Sequence, residues 1–161
     1  MMRYDQGNPQ ELRHRFWKEL AASPFLMLQL NDQPASAAPM TAQLDETANH
    51  AIWFFTSRGN HFARGGTATA TFVAKGHDLF ARFCGTLVEE HDRARLDREW
   101  NRFVEAWFPG GKDDPDLLML RMDLGEASIW AGEVGALNMV KMALGMDVAT
   151  TIKGGYAETT L

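Results

Sequence analysis

A series of short strand-like segments limits the fold of this chain more than any other feature. Five such segments, rich in apolar and β-branched residues and separated by turn-forming clusters or short loops, occupy residues 25–30, 35–43, 51–56, 67–74 and 79–89. A sixth strand is predicted at 117–122, with an extension over 126–130. Neighbouring strands joined by short connections pair in an antiparallel manner, because parallel pairs need long crossovers. In a chain of 161 residues, six antiparallel strands are expected to close into a barrel, so the predicted fold is mainly β.

Helices flank the predicted barrel. Asn8-Pro9-Gln10-Glu11 has the pattern of a helix start, and the helix is expected to end near Ala22. A second helix is predicted from Asp92 to Trp107, and a short one over Val134–Met146. Residues 1–148 are therefore expected to form one domain that includes the first helix, and residues 149–161 a polar arm or tail.

Composition excludes several classes of function. One cysteine, Cys84, rules out an internal disulfide framework and a cysteine-based zinc site, and the histidine spacing predicts no metal. The net charge of −5 gives no basic surface for nucleic acid. The sequence has neither a signal-peptide pattern nor a membrane-spanning run, so a cytoplasmic protein without a membrane partner is expected.

The segment that follows the strongest predicted strand has the composition of an anion site. Thr56 to Gly66 offers two hydroxyls, Arg58, His61, Arg64 and flexible backbone at a strand end. Spacing alone leaves a solvated turn as the alternative, and no glycine-rich nucleotide motif is present.

The aromatic residues point to a large flat contact surface. The chain has five tryptophans and ten phenylalanines but only two tyrosines. Trp53-Phe54-Phe55 and Trp107-Phe108 would suit a planar ligand, a subunit interface or the core, and these alternatives stay open. We expect the apolar patch that carries Trp53 or Trp107 to be buried by dimerisation.

The order of motifs resembles that of a known family. The matching segments extend from about Leu12 to Trp130 and include Ala38-Pro39-Met40, Ile52-Trp53-Phe54-Phe55-Thr56-Ser57, Phe83-Cys84-Gly85-Thr86-Leu87, Ala106-Trp107-Phe108-Pro109-Gly110-Gly111, Asp113-Asp114-Pro115 and Ala127-Ser128-Ile129-Trp130. In this order they are similar to the FMN-binding split-barrel family of pyridoxamine 5′-phosphate oxidase, in its general-stress-protein branch. The resemblance implies a six-stranded antiparallel Greek-key split barrel and a homodimer with FMN, or alternatively FAD, between the subunits.

The resemblance also implies a set of site residues. The backbone around Met40 is expected to lie against the isoalloxazine ring, Thr56 and Ser57 to reach the ribityl-phosphate end, and the Trp107 segment to close the ring site from the partner subunit. The full expected cofactor-binding set is Pro39, Met40, Thr41, Phe55, Thr56, Ser57, Arg58, His61 and Trp107. No catalytic residue is assigned, because a bound flavin would carry the redox step itself.

Two positions depart from the family pattern. Ala38 replaces an arginine, and Phe62 stands where a phosphate-binding lysine is usual, so Arg58, His61 or Arg64 would have to substitute. Three hypotheses follow. The protein is a stress-related flavin oxidoreductase acting on an unknown small molecule, a non-catalytic flavin carrier or sensor, or a flavin-free dimer. On the third hypothesis, Ala38→Arg with Phe62→Lys would create flavin binding.

Overall fold

The computed structural model describes residues 4–132, 143–145 and 154–161. Eight strands and three α-helices are described, and the predicted helix at Val134–Met146 lies almost wholly outside this part of the chain. The elements in chain order are β1 (Tyr4–Gln6), α1 (Pro9–Ala22), β2 (Phe25–Leu30), β3 (Gln33–Thr41), β4 (Ala51–Ser57), β5 (Gly66–Val73), β6 (Leu79–Glu89), α2 (Arg93–Glu99), α3 (Arg102–Trp107), β7 (Leu117–Gly132) and β8 (Gly154–Thr160).

Six of the strands form a split barrel, and the predicted mainly β fold is confirmed. Neighbours pair in the order β3-β2-β5-β6-β7-β4, and every one of these pairs is antiparallel. The remaining seam, between β3 and β4, is joined among the described residues only by an isolated bridge between Gln43 and Trp53. Beyond that bridge the edges of β3 and β4 that face each other are not paired, and the barrel is open there.

Helix α1 follows the prediction at both ends and contributes to the core. The Asn8 side chain accepts hydrogen bonds from the amides of Gln10 and Glu11, and this cap starts the helix. Its buried face carries Leu12, Phe16 and Leu20, one turn apart. The Phe16 ring lies edge-on to those of Phe72 and Phe83 in the main core cluster, so α1 packs its apolar face on the barrel core.

The predicted arm is, over Gly154–Thr160, a strand of the sheet. β8 pairs with the second half of β7, whose first half pairs with β4, and β1 adds a parallel strand beyond β8. The prediction of a tail rested on polarity and two glycines. Those glycines allow close packing, because a Cβ at Gly154 would lie 2.5 Å from the Tyr4 ring. The strand predicted at 117–122 and its predicted extension over 126–130 form one continuous strand, β7.

Gly85 lies at an irregularity in the β6–β7 ladder, as its mid-strand position predicts. The pairing register shifts between Phe83 and Gly85. A Cβ at Gly85 would lie 2.5 Å from the carbonyl oxygen of Asp123, so only glycine allows the two backbones to approach this closely.

The single helix predicted from Asp92 to Trp107 is two helices in the structure. Trp100 has extended backbone angles, and the Asn101 side chain accepts hydrogen bonds from the amides of Phe103 and Val104. Apolar spacing did not reveal this break, because Asn101 starts a new helix through its side chain. The break lets α3 turn over the barrel edge.

We expect Asn101→Ala to destabilise the protein by about 1 kcal/mol, since it removes the cap of α3. Asn101→Ser retains a capping oxygen and is expected to recover most of this loss. Urea denaturation followed by tryptophan fluorescence measures both variants. Equal destabilisation by alanine and serine would contradict the capping role.

Candidate functional site

A cavity of about 400 Å³ opens between β3, β4 and α3. This volume lies within the range typical of small-molecule sites, roughly 300–1,000 Å³. Seven of the nine residues predicted to bind a cofactor line it, and five residues not predicted line it with them. The seven are Pro39, Met40, Thr41, Phe55, Thr56, Ser57 and Trp107, and the five are Gln43, Phe103, Val104, Phe108 and Asp116.

The strand walls of the cavity offer backbone hydrogen-bonding groups. β3 pairs only with β2, and β4 only with β7, apart from the bridge at Gln43 and Trp53. The edges that face each other across the split are therefore unpaired within the described residues. Unpaired strand edges present rows of N–H and C=O groups, which suit a flat ligand with a polar rim.

Helix α3 forms the aromatic wall. Val104 and Phe108 are buried and anchor the helix. Phe103 and Trp107 lie one turn apart and are 77% and 82% exposed, although both line the cavity. Large aromatic side chains so exposed at a cavity rim are candidates for contact with a ligand or a second subunit.

The three predicted cations do not line this cavity. Arg58 forms an ion pair with Glu89 at 2.9 Å and lies in a neighbouring charged hollow. His61 donates from Nε2 to the Ser36 carbonyl at 2.8 Å, and Arg64 pairs with Asp32. Among the residues that the structure describes, no lysine, arginine or histidine is part of the cavity lining. Seen within one protomer, the site thus fits a planar ring but supplies no countercharge for a phosphate.

The two departures from the family pattern both have packing roles. Phe62 is fully buried in the barrel core, in the short 3-10 turn His61–Arg64. Ala38 is partly buried and packs against the same core. Because a lysine at position 62 would replace a fully buried ring, we do not expect Phe62→Lys, alone or with Ala38→Arg, to provide a phosphate contact.

Trp53 is already buried within the protomer, at 2% exposure, and so is not part of a patch that a partner covers. Its indole N–H donates to Glu90 at 3.1 Å, and the Arg95 guanidinium lies 4.0 Å from the ring centroid. Arg95 also pairs with Asp45 and Glu99, which connects α2 to the loop after β3. This cluster fixes the closed end of the split beside the cavity.

The carboxylates of this cluster titrate abnormally, in opposite directions. Hydrogen bonds from the Thr47 hydroxyl and amide, and then those from Arg95 and Arg98, hold the pKa of Asp45 well below its usual range. Burial raises the pKa of Glu99, against the lowering effect of Arg95. Asp45 therefore keeps its charge at acidic pH and holds both arginines.

We expect Asp45→Asn to lower the free energy of unfolding at pH 7, and by less at pH 3.5. The pKa of Asp45 is depressed in the folded chain, so its contribution is complete well above the unfolded value near 3.8 and decreases progressively as the pH falls from there toward the lower folded value. Urea denaturation at both pH values measures the difference. Asp32→Asn breaks an exposed pair with Arg64 and is the control, with little expected effect at either pH. If the free energy of unfolding of wild type exceeded that of Asp45→Asn by more at pH 3.5 than at pH 7, this role of Asp45 would be contradicted.

Sequence reasoning named Trp107 but missed the other residues that α3 and the segment before β7 bring to the cavity. The spacing of Phe103 and Trp107 placed both on one helix face, but the family resemblance implied a cofactor contact only for the Trp107 segment. Asp116 follows a turn of acidic residues that indicated only a solvated loop. No group of three metal-ligating side chains lies together in the described ranges, nor does any described helix have the length and apolarity to cross a membrane.

The comparisons with known proteins agree with this architecture. A family model described as pyridoxamine 5′-phosphate oxidase like matches residues 11–153. A general stress family protein of Xanthomonas campestris is 44% identical, with 76% of this chain and 90% of that chain covered and a TM-score of 0.67. The general stress FMN/FAD binding protein of Xanthomonas citri is 43% identical, with 76% and 89% covered and a TM-score of 0.68.

A third solved structure matches nearly the whole chain. It is a general stress protein 26 of a Jannaschia species, 29% identical, with 96% of this chain and 100% of that chain covered and a TM-score of 0.78. A search of the curated proteins found no match. The chain belongs to the pyridoxamine 5′-phosphate oxidase-like family of split-barrel proteins, as its motifs implied.

Proposed function

We propose that this protein is a flavoprotein that holds the isoalloxazine ring of FMN in the cavity between β3, β4 and α3. The observation that carries the proposal is the convergence on one cavity of Pro39, Met40 and Thr41 from β3, Phe55, Thr56 and Ser57 from β4, and Trp107 from α3. The similar protein of Xanthomonas citri is named as FMN/FAD binding, which supports the same ligand class and keeps FAD as the alternative.

Each wall of the cavity has a role in holding the ring. The unpaired edge of β3 supplies backbone donors and acceptors for the polar rim, and the Gln43 amide adds one further donor and acceptor. Phe103 and Trp107 supply the aromatic surface that excludes water from one side. The Thr56 and Ser57 hydroxyls serve the hydroxylated side chain of the flavin. The bound flavin supplies electron transfer, and the protein orients it.

The proposed assembly is a homodimer in which a second copy covers the aromatic rim. Besides Phe103 and Trp107, the exposed Phe25 and Met27 lie on β2 directly opposite Thr41 and Pro39 of β3. The exposed apolar surface is therefore continuous with the cavity wall. Light scattering at micromolar concentration is expected to give twice the mass of one chain, and a monomer would overturn this part of the proposal.

We propose further that the flavin site serves a stress-related oxidoreductase with a small-molecule substrate. The alternative is a non-catalytic flavin carrier or sensor. This alternative is favoured because, among the described residues that line the cavity, Asp116 alone has an ionisable side chain. Mixing the FMN-loaded protein anaerobically with NADH or NADPH distinguishes the two. Bleaching of the flavin absorption faster than that of free FMN supports the oxidoreductase, and a rate equal to that of free FMN supports the carrier.

A further inference from the structure

We propose that Asp116 makes this cavity select flavins by the charge at the end of their side chain, so that it binds riboflavin at least as tightly as FMN. The inference rests on the proposed function, since it concerns the same cavity. It assigns to Asp116 a role in specificity, which neither the motif order nor the comparisons give it.

Asp116 lies at the end of the cavity that Thr56 and Ser57 line. Ser57 pairs with Leu117, the residue next to Asp116 in the chain. The Asp116 backbone is fixed on both sides, because its amide donates to the Asp114 carboxylate at 2.9 Å and its carbonyl accepts from the Arg58 amide at 2.9 Å. Asp116 is thus held in the cavity wall immediately before β7.

No positive charge in the described lining balances this carboxylate. Asp116 is exposed and forms no ion pair with the described cations, and it is the one ionisable member of that lining. The Arg58 side chain points away to Glu89, although its own backbone touches Asp116. A phosphate at this end carries a charge of about −1.5 to −2 at pH 7 and would meet a like charge.

The neutral part of a flavin side chain suits the same end of the cavity. Ser57 lies on the same face of β4 as Phe55, and its hydroxyl both donates and accepts hydrogen bonds, so it serves a ribityl hydroxyl without needing a charge. Riboflavin shares the ring and the ribityl chain with FMN but lacks the phosphate. The ring contacts therefore set the affinity, and the phosphate adds nothing to it or weakens it.

The test is a titration of riboflavin and FMN with the full-length protein, followed by flavin fluorescence. Wild type is expected to bind riboflavin with a Kd equal to or below that for FMN. Asp116→Asn is expected to tighten FMN binding by about three- to tenfold, the effect of removing one exposed charge from the vicinity of a dianion. Riboflavin binding should change by less than about twofold, because a neutral ligand does not sense the charge.

A control and a second measurement separate the charge effect from other causes. Glu46→Gln removes one exposed negative charge that does not line the cavity, and neither Kd should move. Raising the salt concentration should tighten FMN binding to wild type, since salt screens repulsion, and should leave riboflavin binding unchanged.

Two results would overturn the inference while leaving the proposed function in place. One is a wild type that holds FMN more than about tenfold tighter than riboflavin, which requires a cation from Arg58 or a partner subunit at the phosphate. The other is an Asp116→Asn variant that shifts both flavins equally. Failure of wild type to bind either flavin overturns the proposed function, and this inference with it.

Discussion

Replacing Phe62 by lysine is expected to unfold the protein, or to leave it only marginally folded, rather than to create a phosphate site. Phe62 is fully buried in the main core cluster. Removing a buried phenylalanine costs about 3–5 kcal/mol, and burying an ammonium group without a partner adds to that. Domains of this kind are stable by only about 5–15 kcal/mol. Urea denaturation and circular dichroism measure the loss.

His61→Lys is the matched control, because it puts the same side chain on the neighbouring exposed position. It loses the hydrogen bond to the Ser36 carbonyl and should cost about 1 kcal/mol or less. A Phe62→Lys variant as stable as wild type would contradict the core position of this ring. If that variant also bound FMN more tightly than wild type, position 62 would have to lie at the phosphate, as the phosphate-binding lysine of the family does, and not in the core.

Trp107→Ala is expected to weaken flavin binding by about 10- to 100-fold. Stacking of a flat heteroaromatic ring on an aromatic side chain contributes about 1–3 kcal/mol, and Trp107 presents most of its surface at the cavity rim. Because the side chain is 82% exposed, its removal leaves the protomer core intact and should change the unfolding midpoint little. Fluorescence titration with FMN measures the affinity.

Trp130→Phe is the control for Trp107→Ala. Trp130 packs beside Tyr156 on β7 and β8 and does not line the cavity, so its replacement should leave the Kd within about twofold of wild type. Equal Kd values for Trp107→Ala and wild type would show that the aromatic rim is not in contact with the ring. Light scattering on Trp107→Ala should be run in parallel, since the same side chain lies on the proposed dimer face.

The barrel was predictable from the sequence because each of its strands follows a local rule. A nearly continuous apolar run predicted β2, the alternation of threonine with apolar residues predicted β5, and Gly85 marked the irregularity opposite Leu124. β1 and β8 were missed because a three-residue strand and a polar, glycine-rich strand have no apolar alternation to detect. Their strand character comes from pairing with each other and with β7, which is a tertiary effect.

Most of the cavity lining was predictable from motif order, but the directions of the nearby charged side chains were not. The motifs placed residues from β3, β4 and α3 around one cavity. In the segment after β4, the direction of each side chain depends on how that segment packs against the rest of the protein. Arg58 turns to Glu89, His61 to the Ser36 carbonyl and Arg64 to Asp32, and Phe62 fills the core. None of these directions follows from residue type or spacing alone.

An equilibrium titration of the wild-type protein with FMN tests the central claim most directly, with flavin fluorescence and visible absorption recorded together. We expect saturable binding of one flavin per chain, with a Kd on the order of micromolar and a shifted, structured visible band as the ring leaves water. Flavin fluorescence and absorption that stay those of free FMN up to about 100 µM protein, roughly a hundredfold above that Kd, would contradict it. The cavity between β3, β4 and α3 would then have to serve a different ligand.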